Sequence, residues 1–144
     1  MTHAIHSMIQ VLEWRERKSR QELARLSGTI AAVAAEIRTV EEVIAAVDAR
    51  ISANLNARLA GEPVSVATLL ALEQHTQTLV SGRERVAELK RQSERKLAEL
   101  RVRQRTDARH WRRDEVKLMH ARALARRETI LHAARQAEAQ EEVS

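Results

Sequence analysis

The stretch LAGEPVSVATLL, Leu59 to Leu70, holds the one strong interruption in an otherwise helix-favouring sequence. Gly61 is well suited to end a helix, because it enters the left-handed backbone region without a Cβ penalty. Pro63 has no amide hydrogen and cannot continue a helix. Ser65 is placed to cap whatever helix follows, its hydroxyl accepting from an early unpaired amide. The other glycines, Gly28 and Gly82, each cost only about 1 kcal/mol relative to alanine in a helix interior. A single break in 144 residues predicts two long helices.

Working back from the break, apolar residues recur at alternating spacings of three and four. One series is Ile9, Glu16, Leu23, Ile30, Ile37, Ile44 and Ile51; the other is Leu12, Ser19, Leu26, Val33, Val40, Val47 and Asn54. All but Glu16, Ser19 and Asn54 are aliphatic, and the pattern persists over the whole segment, which is the signature of a coiled-coil seam. It predicts a helix over about residues 3–59, then a loop at about 60–64. Working forward, a second helix is expected over about 65–140, with a patchier seam of Leu69, Leu72, Leu79, Val86, Leu89, Leu97, Leu100, Trp111 and Leu118.

A short connection makes long helices antiparallel neighbours, so the expected fold is all-α: one coiled-coil hairpin spanning residues 1–144. At about 1.5 Å per residue the helices would be roughly 85 and 110 Å long, so the end of the second overhangs the start of the first. With the turn centred near residue 62, Glu16 and Ser19 face positions near 108 and 105, and Trp14 falls near the layer of Trp111. The tail QAEAQEEVS has no aliphatic stripe after Leu131 and is expected to fray.

Composition supports an elongated helical chain. There is no Phe or Tyr, only Trp14 and Trp111 are aromatic, and Ala, Leu, Glu, Arg and Gln dominate. Cysteine is absent, which removes disulfides and thiol chemistry. No apolar run approaches the roughly 20 residues needed to span a bilayer, and the first residues lack the apolar core of a secretory signal, so a cytoplasmic location is expected. No phosphate loop, HExxH or nucleophile elbow is present. A two-helix rod also lacks a concave pocket, so neither an enzyme nor a cofactor is expected.

The chain carries a net charge of +5, unevenly spread. Residues 101–127 hold ten Arg or Lys against Asp107, Asp114 and Glu115, a local +7; residues 128–144 hold four Glu against Arg135, a local −3. The basic part includes RVRQRTDARHWRRDEVK, Arg101 to Lys117, where the seam loses most of its apolar residues. On the other helix the equally polar EWRERKSRQE, Glu13 to Glu22, lies opposite it. Both helices thus turn polar together, at the end holding the two chain termini, and that end is expected to need a partner of negative surface.

Several constellations there compete with plainer readings. Glu16 can pair with Arg105 or Arg109, either as a solvated contact or as a device that sets register. Trp14 and Trp111 can close the open end as an aromatic layer. Alternatively Trp14, outward in the Ile9 register and flanked by Arg15 and Arg17, serves as a protein-binding anchor. The basic run lacks the interleaved aromatics and motifs of a nucleic-acid reader, which argues against that partner. His3, His6 and His120 come near one another in this register, but no carboxylate or thiol pattern supports a zinc site.

The start MIQVLEWRERKSRQELARL resembles the opening of the FliJ/YscO family, the central stalk of type III secretion and flagellar export machines. The resemblance rests on Ile9 and Leu12, on Arg15 and Arg17, and on Glu22, Leu23 and Ala24, supported by length, basic character and the single central break. It implies a non-enzymatic stalk or adaptor that inserts the end bearing both termini into a hexameric secretion ATPase. The hairpin would point to the export gate protein, with secretion chaperones as further partners and a position beside the secretion apparatus at the inner membrane. Carried over by position, the ATPase-facing surface would be Met8, Trp14, Arg15, Arg17, Arg109, Trp111, Arg112 and Arg113. The gate-facing surface would be Leu69, Leu72 and His75. A structural coiled coil that pairs through the Ile30–Ile51 stripe, and a basic non-specific nucleic-acid binder, are the alternatives.

Overall fold

The structure is a computed structural model that describes residues 2–61 and 65–143, without the side chain of Thr2. Two helices account for nearly all of it: α1, Thr2–Leu59, and α2, Val66–Val143. They pack against each other as an antiparallel hairpin, and no strand occurs among the described residues. Gly61 follows the end of α1 with φ +69°, the left-handed conformation expected of a terminating glycine. Ser65 caps α2: its Oγ accepts from the Thr68 amide at 3.2 Å. Pro63, the other half of the sequence argument for the break, lies outside the described residues.

The heptad reading of α1 holds at every seam position. Leu12, Leu26, Val33 and Ile37 are buried, and the other ten seam residues are half-buried. The seam of α2 is equally regular but chemically mixed. Sheltered residues recur every three or four from Leu72 to Glu128, and among them stand Thr76, Arg83, Lys90, Ser93, Gln104, Asp107 and Asp114. An aliphatic ridge therefore packs against one whose apolar residues alternate with polar ones. Leu69 and Leu89, expected in the seam, are exposed; Leu89 is 55% accessible, and Val86 and Lys90 occupy the sheltered face beside it.

The chain divides into two compact units, Gly28–Arg101 and Met1–Ser27 with Val102–Ser144. In the first, Arg83 forks onto Asp48, with Nη2 donating to Oδ2 at 3.2 Å, and Lys90 Nζ lies 3.6 Å from Glu41 Oε1. The Arg83 guanidinium holds the Asp48 carboxyl below the usual aspartate range. Asn54 sits at a seam position with its Nδ2 buried and unpartnered. In the second unit Leu12, Leu118 and Ala121 form the core, with Ile9 packed on it. Across that seam Ser19 Oγ donates to Asp114 Oδ2 at 2.7 Å, and Gln104 Nε2 donates to Ser27 Oγ at 3.1 Å.

These pairs correct the expected register. A turn centred near residue 62 puts Ser27, Glu41 and Asp48 opposite positions near 97, 83 and 76; they meet Gln104, Lys90 and Arg83 instead, each about one heptad later. The sheltered seam ends at Asn54 on α1 and begins at Leu72 on α2, with residues 55–61 and 65–71 exposed. A seam that repeats every seven residues is satisfied equally by registers one heptad apart. The polar cross-pairs bias that choice: the observed register forms both Arg83–Asp48 and Lys90–Glu41, whereas a slip of one heptad leaves a single such pair, Arg83 opposite Glu41 or Lys90 opposite Asp48.

Candidate partner-binding surface

The unit formed by residues 1–27 and 102–144 carries most of the positions that the sequence points to. In it α1 contributes Met8, Trp14, Arg15 and Arg17, all exposed, and α2 contributes exposed Arg109, Arg112 and Arg113. Trp14 is 56% accessible, and the Lys18 ammonium lies 5.0 Å from its ring centroid. It therefore does not stack with Trp111 as an aromatic layer; its outward heptad position keeps it at the surface.

Trp111 has the opposite placement. It occupies a half-buried seam position, and its Nε1 donates to Glu16 Oε1 at 3.2 Å. The two polar oddities of the α1 seam are thus both satisfied from α2, Glu16 by Trp111 and Ser19 by Asp114. Glu16 also lies 3.8 Å from Arg20 on its own helix. The expected pairing of Glu16 with Arg105 or Arg109 is replaced, because the one-heptad shift carries those arginines past it. Trp111 serves as an internal tie, half-buried and with a satisfied indole N–H.

Beside the seam, Met8, Val11, Leu12, Ala121 and Leu124 line a groove of about 550 Å³ that is rimmed by Arg15, Lys117 and His120. A neighbouring depression continues it past Ala123 and Leu124 to Arg127. The cause is local: Ala121 is too small to fill the space beside Leu12, so the flanking Met8, Val11 and Leu124 stay partly bare. All the charges on this rim are basic. On the opposite flank, Glu13, Glu16 and Glu115 mix with Arg17, Arg20 and Arg122, and Arg122 bonds Glu13 at 3.2 Å. The sequence reading found Met8 and Arg15 but missed Val11, Lys117, His120 and Leu124. The signal for Leu124 was present, since Lys117, Leu124 and Leu131 repeat at seven residues and so share one stripe.

The remaining sites are simpler. Leu72 is half-buried at the start of the α2 seam, whereas Leu69 and His75 are exposed on the other unit. Among the described residues no group of three His, Cys, Asp or Glu is arranged to hold a metal ion, and His3, His6 and His120 do not form such a group. No described helix is long and apolar enough to cross a membrane. The Ile30–Ile51 stripe is buried or half-buried within the hairpin, so its apolar face is already covered by this chain. No protein-family model, curated protein or solved structure matches the chain.

Proposed function

We propose that this chain is a non-enzymatic stalk or adaptor of a type III secretion ATPase complex. Its unit of residues 1–27 and 102–144 docks in the ATPase hexamer, and the region around Leu69, Leu72 and His75 contacts the export gate. Secretion chaperones are further partners, and the protein works in the cytoplasm against the secretion apparatus. The observation that carries the reading is the distribution of exposed anchors in the docking unit. Trp14, Arg15 and Arg17 project from α1, and Arg109, Arg112 and Arg113 project from α2, all away from a seam that is internally satisfied. Anchors on the outward faces of both helices fit a partner that surrounds the hairpin better than one that covers a single side. Exposed Trp and Arg are the residue types most often found at binding hot spots.

The test is co-elution with a hexameric secretion ATPase, together with its rate of ATP hydrolysis. The wild-type chain is expected to form a complex and to stimulate hydrolysis. The double variant Arg112→Glu, Arg113→Glu is expected to lose both while its helical circular dichroism is unchanged. Full binding by the double variant would remove this surface from the proposal.

A further inference from the structure

The last turns of α2 carry a feature that the hairpin itself does not use. Residues 129–143 are helical and exposed throughout, and Glu128 is the last sheltered residue of the seam. This segment carries exposed Ile130 and Leu131 and the acidic residues Glu138, Glu141 and Glu142. The basic-rimmed groove begins within three turns of it on the same helix. The segment cannot turn back into the groove of its own chain, because α2 is continuous to Val143 and has no glycine or proline after Gly82.

We propose that the groove seats residues 129–143 of a second copy of this chain, the two copies exchanging these segments about a two-fold axis. The stripe that runs along this face of α2 reads Lys117, Leu124, Leu131, Glu138 at seven-residue spacing. Reversed, it complements itself: an antiparallel copy sets Lys117 against Glu138 and Leu124 against Leu131, and each contact occurs twice. Met8 and Val11 widen the apolar floor on which Leu131 comes to rest. Arg15, on the rim with Lys117, adds positive charge where the acidic segment arrives. The pairing covers apolar groups on both partners and opposes a segment of local charge −2 to a basic rim, which favours association and fixes its direction.

The experiment is sedimentation equilibrium of the purified full chain over a concentration series, with helicity followed in parallel. The wild type is expected to be a dimer that weakens as salt rises. Lys117→Glu alone and Glu138→Lys alone should each weaken the dimer about tenfold, since each reversal places like charges together at two symmetric contacts. Lys117→Glu combined with Glu138→Lys should restore most of the affinity. These positions are exposed, so the variants keep the hairpin, and unchanged helicity checks this. A monomer at concentrations up to roughly 100 μM would overturn the proposal. So would a dimer indifferent to both single reversals, or one that the double variant fails to rescue.

Discussion

Ile37 and Leu89 lie in the same unit, one on each helix, and the structure assigns them opposite energetic roles. Ile37 is 8% accessible in the seam, whereas Leu89 is 55% accessible although the spacing of leucines places it in the seam. Truncating each to alanine is therefore a direct test of the observed α2 face. Ile37→Ala removes three buried carbons, worth about 0.8 kcal/mol each. A seam only two helices thick collapses around the vacancy more easily than a globular core, so the cavity adds little and the total is about 2–3 kcal/mol. Leu89→Ala removes carbons that are half in water, and its cost should stay below about 1 kcal/mol. At roughly 3 °C per kcal/mol, thermal unfolding followed by circular dichroism should show a drop of about 6–9 °C for Ile37→Ala and little change for Leu89→Ala. Equal losses, or a larger one at Leu89, would mean that α2 presents a different face and that the register drawn from the Arg83–Asp48 pair is wrong.

Other substitutions probe single features. Asn54→Leu should stabilise the hairpin by about 1 kcal/mol, since it replaces a half-buried amide whose sheltered Nδ2 has no partner with an apolar group in an aliphatic seam; urea denaturation measures this. Trp111→Phe should cost about 1–2 kcal/mol, because it leaves the partly sheltered Glu16 carboxylate without its indole donor, and Glu16→Gln, which keeps an acceptor, should cost less. Gly61→Ala should lose about 1 kcal/mol from backbone conformation alone, as a Cβ there meets no atom within 4 Å; Gly61→Asn should recover part of it, again by urea denaturation. The lowered carboxyl of Asp48 sets a sign for pH. The stability from its pairing with Arg83 is full above the ordinary aspartate range and is lost as pH falls through the depressed folded value. Acid titration of Asp48→Asn should accordingly show a shallower loss of stability in that range than the wild type.

Heptad periodicity made α1 legible residue by residue, because an aliphatic ridge must face its partner wherever that partner lies. The break was legible for an equally local reason: Gly61 takes the left-handed turn and Ser65 caps the next helix through its own hydroxyl. Leucine spacing was a poorer guide to α2, where half the sheltered positions are polar and Leu89 is bare. The anchors at Trp14, Arg15 and Arg17 could be placed as outward from the α1 pattern alone. The groove could not, because its floor needs Leu12 and Ala121 side by side from different helices.

The sequence by itself determined that this chain forms two long helices joined near Gly61, since turn chemistry and periodicity act over a few residues. It also determined the sheltered ridge of α1. Only the tertiary structure decided the register, because a seven-residue repeat is satisfied equally well one heptad away and long-range pairs must choose. Ser27 on Gln104, Glu41 on Lys90 and Asp48 on Arg83 make that choice. With it came the groove beside Ala121, whose floor sets Leu12 of one helix next to Ala121 of the other.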